Sequence, residues 1–129
     1  MRKQLMISGA ALGLTAVMLG AFGAHGLEKY LDHNGIVSFE TGVRYQMYHA
    51  LLLFLIGGVF NFTKSVNYTL LCLVSVGVLC FSGSIYLLST QPFTGLDFSK
   101  IALMTPLGGT LLIVSWGLIL YQFVKLKNE

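Results

Sequence analysis

The chain has 129 residues, 55% of them apolar and only 10% charged, with a mean hydropathy of +0.77, whereas soluble domains carry about a quarter charged residues. That excludes a soluble enzyme domain and places the protein in a membrane. A span needs roughly 20 apolar residues, so a chain of this length holds about four spans with their connections. The net charge of +3 is no sign of nucleic-acid binding, because the 8 Lys and Arg are scattered and sit mostly at the ends of apolar runs, where they orient the protein.

The first run, Leu5–Ala24, carries no charge and follows Arg2 and Lys3. Ala21 and Gly23 suit a signal-peptidase site, but the run is longer than the roughly 7–15 residues of a signal-peptide core. Gly9, Gly13, Ala16, Gly20 and Gly23 recur at three- and four-residue spacing, which lets a second helix approach closely. A retained, packed helix is expected. The stretch from His25 to Arg44 is the longest polar interruption. Leu27, Tyr30 and Leu31 on one side, with Glu28, Lys29 and Asp32 on the other, predict a short helix lying at the membrane interface. Asn34-Gly35 is expected to end it, and Ser38 to cap a second helix over about Phe39–Phe60, with Glu40 pairing with Arg44 at i,i+4. Tyr45 and Tyr48 mark the headgroup boundary.

A turn from Asn61 to Asn67 leads into the longest uncharged stretch, Ser65–Leu96, with its spanning part at Tyr68–Leu88. Gln91-Pro92 and Gly95 break the chain before a fourth apolar run, Ile101–Val124, which has Pro106 in its first turns and Lys125 and Lys127 beyond its end. Cys72 and Cys80 lie about 12 Å apart along one helix, too far to bridge, and read as small buried hydrophobes. The predicted fold is an all-α membrane protein, an antiparallel four-transmembrane-helix bundle with a short interfacial helix after the first. It forms one domain, 1–129, with spans at about 5–24, 45–62, 68–88 and 103–124. The ends and central turn hold five basic residues (Arg2, Lys3, Lys64, Lys125, Lys127) against three in the other loops, while Glu28, Asp32, Glu40 and Asp97 fall opposite and only Glu129 joins the five. Both termini are therefore expected to face the cytoplasm across the plasma (inner) membrane.

That topology gathers polar side chains in one outer layer: His25, Arg44, Tyr45, Gln46, Tyr48, His49, Ser82, Ser84, Tyr86 and Thr105. The inner halves hold mainly Leu, Val, Ile and Phe. Intramembrane polar groups face the protein interior and mark either function or a structural network. On the first view, His25, His49, Tyr45, Ser82 and Ser84 bond to one another and hold the helices in register. On the second, His25 and His49 carry protons or ligands in a small outer pocket with Arg44 as an anion anchor. His49 is the expected centre of the layer, a neutral ring bridging Tyr45 or a serine of the third helix to His25. Gly57-Gly58, Gly77, Gly83, Gly108-Gly109 and Gly117 read as packing positions. Trp116, Tyr121 and Phe123 could stack on a ligand, but Tyr121 beside Lys125 reads as an interfacial anchor. Met47 and Met104 with two histidines lack the i,i+3 or i,i+4 ligand pair of a metal site, and no acid inside a span serves as a catalytic base. No cofactor, no enzymatic activity and no nucleic-acid partner are expected.

Four segments together resemble the YgdD/YwdK-like small integral membrane proteins. They are Gly20-Ala21-Phe22-Gly23-Ala24-His25-Gly26-Leu27, Arg44-Tyr45-Gln46-Met47-Tyr48-His49-Ala50-Leu51, Phe81-Ser82-Gly83-Ser84-Ile85-Tyr86 and Thr105-Pro106-Leu107-Gly108-Gly109. The resemblance covers nearly the whole chain, with Ser115 standing where the family usually has a Gly before the Trp of the last helix. It implies four helices and no reaction. The expected function is that of a non-enzymatic accessory or membrane-organising protein acting through the lipid bilayer, a membrane-protein partner or a homo-oligomer. The alternative is an oligomeric small-molecule or ion transporter, or a ligand-binding protein, using the His25/His49 cluster.

Overall fold

In hydrocarbon every backbone N–H and C=O must be satisfied within its own segment, so apolar runs of this length fold as helices. The computed structural model describes residues 1–126. In chain order they form α1 (Arg2–His25), α2 (His33–Gly58), α3 (Lys64–Thr94), a 3₁₀ turn at Ser99–Ile101 and α4 (Met104–Leu126), with no strand among the described residues. Lys127 and Glu129, used above to orient the chain, lie outside the described residues. Three helical segments are long and apolar enough to cross a membrane, Arg2–His25, Lys64–Thr94 and Ser99–Lys125. The expected second span is not among them, because Arg44, Gln46 and His49 with their neighbouring tyrosines dilute the apolar half of α2.

The segment after α1 departs from expectation. Residues 26–32 form turns rather than an interfacial helix: Tyr30 and Leu31 N–H groups both donate to Leu27 O, and the chain then enters α2 at once. Asp32 is the reason. Its side chain accepts from Gly35 N–H at 2.8 Å, capping α2 six residues ahead of Phe39 and absorbing Asn34-Gly35 into the first turn. Ser38 is therefore no cap, although Glu40 does pair with Arg44 at 3.3 Å. At the other end α2 stops at Gly58, short of the expected 62, and Thr63 caps α3 by accepting from Val66 N–H. α3 continues through Pro92 to Thr94 and ends on Gly95, whose φ of +69° supplies the left-handed C-terminus. A proline in the last turn removes only one backbone bond there.

The helices lie in chain order, α1 on α2, α2 on α3 and α3 on α4, and the backbone of α4 runs mainly along α3. Numbers fall on one helix as they rise on its neighbour: Arg2 and Leu5 meet Gly57, Gly9 meets Ala50, and Gly23 meets Phe39. Along α3 and α4, Gly77 meets Leu112, Phe81 meets Gly108, and Ser84 meets Thr105. Two apolar cores result. One joins Leu5, Leu53, Ile56, Leu70, Val74 and Leu112; the other joins Leu27, Leu31 and Phe39 at the loop end.

Glycine sets the spacing at both main seams. A Cβ on Gly9 would stand 2.7 Å from Ala50 O and 2.9 Å from Phe54 N, and one on Gly108 would meet Phe81 N and stand 2.7 Å from Gly77 O. All of these are backbone atoms that cannot swing aside. Gly9→Ala should therefore cost about 1–3 kcal/mol through overpacking. Gly117→Ala, whose added methyl meets open space, should be neutral or stabilising by up to about 1 kcal/mol. Thermal unfolding of both variants in detergent measures the difference, and equal shifts would contradict the close α1–α2 approach.

Candidate functional site

Between the two cores, α2 presents Gly42, Gln46 and His49 to its neighbours, three buried positions that follow each other at three- and four-residue spacing on one side of the helix. Gln46 is 5% exposed and reaches both flanking helices. Its Nε2 donates to Leu12 O at 2.9 Å and Thr15 Oγ1 at 2.7 Å on α1, and its Oε1 accepts from the Tyr86 hydroxyl of α3 at 2.8 Å. Thr15 in turn donates to Ala11 O at 2.9 Å. Three helices thus meet on one amide, both of whose N–H groups are used.

One turn away, Ser82 donates to Gly42 O at 2.7 Å in a fully buried contact between α3 and α2. Tyr86 lays its ring over Gly42 and against Phe39, with centroids 4.9 Å apart. On the far side of α3, the Ser84 and Thr105 hydroxyls share a 2.6 Å hydrogen bond that ties in α4. His49 completes the layer in a way the sequence did not suggest. Its Nδ1 contacts Tyr45 O at 2.7 Å, and the carbonyl must accept, so Nδ1 carries the proton and Nε2 is free to accept from Trp116 Nε1–H at 3.2 Å. The ring therefore bridges α2 to α4, not to His25, a serine or the Tyr45 hydroxyl.

Gln46, His49, Ser82, Ser84, Tyr86 and Thr105 are thus brought together in pairs and threes across helices. The other expected members are not. His25 is exposed at the end of α1, Arg44 is exposed and turned to Glu40, and Tyr48 is exposed. Tyr45 joins through its carbonyl, which accepts from His49, and its ring, which packs on Phe81 at 4.7 Å, while its hydroxyl takes no part. Two partners were missed. Thr15 is a hydroxyl in the middle of the first apolar run, a position that signals an interhelical contact. Trp116 lies about 13 Å along the axis from Lys125, too deep for the interfacial belt.

Beside the His49–Trp116 bridge, Tyr45, Phe81 and Trp116 wall a groove of about 360 Å³ between α2 and α4, with Gly109 also lining it. Among the described residues no cluster of three His, Cys, Asp or Glu is placed to hold a metal ion. At the opposite end Arg2 closes α2: its guanidinium donates to Gly57 O, Gly58 O and Asn61 Oδ1, each at 2.8 Å, satisfying carbonyls the helix leaves unpaired.

The same chain segments decide the family. Residues 19–109 match the model described as "Protein of unknown function (DUF423)". The chain belongs to the DUF423 family. The match runs from the end of α1 into the first turns of α4 and takes in every member of the polar layer except Thr15 and Trp116. The chain is 39% identical to the UPF0382 membrane protein YwdK of Bacillus subtilis, over 95% of this chain and 98% of the relative. It is 40% identical to the UPF0382 membrane protein SSP2132 of Staphylococcus saprophyticus, over 88% and 91%, and 31% identical to a UPF0382 membrane protein of Haemophilus influenzae, over 99% of each. No solved structure matches. This DUF423 member is thus a membrane protein with transmembrane-capable helices, as the composition predicts.

Interhelical side-chain bonds in lipid average about 0.6 kcal/mol each, so Gln46→Leu, which removes three, should cost about 2 kcal/mol. Thr105→Ala, which removes one, should cost about a third of that. Reversible unfolding in mixed micelles compares them, and a Gln46→Leu protein as stable as its parent would deny the amide this role.

Proposed function

We propose that this protein is a non-enzymatic integral membrane protein, one domain over 1–129, whose polar layer locks four antiparallel transmembrane helices and which acts as an accessory or membrane-organising protein through lipid or protein partners. In this proposal both termini face the cytoplasm of the plasma (inner) membrane, and α2 is the fourth span despite its lower apolarity, sheltered by α1 and α3. One observation carries it: Gln46, His49, Ser82, Ser84, Tyr86 and Thr105 all find partners inside the chain. Polar groups consumed in this way hold helices together instead of handling a solute. The transport alternative draws less support, since His25 is exposed while both ring nitrogens of His49 are engaged with Tyr45 and Trp116.

What such a molecule offers its surroundings is its outer surface. Large apolar side chains such as Leu14, Val17, Leu51, Leu79, Leu107, Ile113 and Leu120 are more than half exposed, as lipid or another membrane helix would require.

Copurification from gently solubilised membranes tests the role. A specific lipid or protein retained in fixed stoichiometry is the expected result, and a bare monomer would count against it. Topology is tested in a variant lacking Cys72 and Cys80: a cysteine at Lys29 should react with an impermeant thiol reagent in intact cells and one at Ser65 should not. The reverse pattern would invert the proposed orientation.

A further inference from the structure

The two ends of the molecule differ in charge. Among the described residues Glu28, Asp32, Glu40 and Asp97 all lie at the end where α1 and α3 finish, and Arg2, Lys3, Lys64 and Lys125 lie at the other with no acid among them. At that basic end a groove of about 520 Å³ opens between α1 and α2, lined by Arg2, Lys3, Ile7, Ala10 and Phe54. It shares Ala10 and Phe54 with a second groove of about 390 Å³ that continues along the same seam past Gly13 to Val17 and Met47. From Lys3 to Val17 the trough is about 21 Å long, enough for a headgroup and one leaflet of a hydrocarbon core roughly 30 Å thick. Its wall is almost wholly apolar beyond the two cations at its mouth.

We propose that this trough binds one anionic phospholipid, its phosphate at Lys3 and the free edge of Arg2 and one acyl chain laid along Ala10, Gly13 and Val17. Three of the five Arg2 N–H groups hold Gly57, Gly58 and Asn61, which fixes the guanidinium at the mouth and leaves two donors for a phosphate oxygen. Lys3 is exposed with no acidic partner among the described residues. A second copy of the chain in parallel orientation would bring its own basic end to the same place, so like charges would face each other. An anionic lipid neutralises them. The proposal deepens the accessory-protein reading by naming its partner, and rests on that reading for the insertion of α1.

Native mass spectrometry of the full chain released from nanodiscs tests this, with phosphatidylglycerol or phosphatidylcholine of identical chains as the probe. The parent should retain one phosphatidylglycerol at least fivefold more than phosphatidylcholine, Lys3→Glu should abolish the preference, and Ala10→Phe, which fills the trough, should lose the bound lipid. Circular dichroism should show both variants as helical as the parent. Equal retention of the two lipids, or an unchanged preference in Lys3→Glu, would overturn the site. So would a dimer in the parent that Ala10→Phe converts to monomer, since a second copy would then occupy the trough. A protein partner that copurifies unchanged with both variants would leave the accessory role standing while the lipid site fell.

Discussion

The Gln46 amide is the constraint on which the arrangement of helices depends. A primary amide buried away from water must find partners inside the protein, because each unmet group costs about 1–3 kcal/mol. Gln46 finds them on α1 and α3 together, through Leu12, Thr15 and Tyr86. This fixes the rotation of α2 about its axis and its height between two neighbours at once. Once that register is set, Gly9 and Gly57 fall where α1 and α2 touch, and Gly42 falls under the Tyr86 ring. Dispersion then adds stability over those seams, where lipid offers no hydrophobic drive of its own.

α4 is held differently. Its backbone runs mainly along α3, with Gly108 against Phe81 and the Ser84–Thr105 bond at one level and Gly77 against Leu112 at another. Its tie to α2 is a side-chain bridge, Trp116 to His49, at the edge of an aromatic groove. The molecule therefore has three helices, α1 to α3, tied through one amide, and a fourth packed closely along α3. The imidazole works here as a two-sided connector, donating along its own helix and accepting across the gap.

Much of this was legible in the sequence, for identifiable reasons. Uncharged runs long enough to span gave the helices, since a membrane permits little else. Polar residues inside those runs marked the layer, and Gln46, His49, Ser82, Ser84, Tyr86 and Thr105 were picked out by being costly where they stand. What the linear pattern could not encode was pairing. His49 follows Tyr45 by four residues, but which helix its outward nitrogen meets depends on the tilt and rotation of α4, and it meets Trp116. Likewise His25 shares the expected level yet sits at a helix end, facing outward. The missed start of α2 has a local cause: Asp32 outcompeted Ser38 as the cap because Gly35 N–H lies within its reach, so a stop signal became a first turn. Arg2, read from sequence as an orienting charge, also closes the end of α2 through three hydrogen bonds.

Whether the amide couples the helices, or merely sits between them, is decided by a double-mutant cycle on Gln46 and Tyr86. Gln46→Leu, Tyr86→Phe and the double variant are unfolded reversibly in the same mixed micelles, and the energy not accounted for by the single changes is extracted. A hydrogen bond that holds α2 to α3 predicts a coupling of about 0.6–1.7 kcal/mol, from the average to the maximum of interhelical side-chain bonds measured in a membrane protein. A coupling indistinguishable from zero, with each single change as costly as before, would contradict the central role given to Gln46.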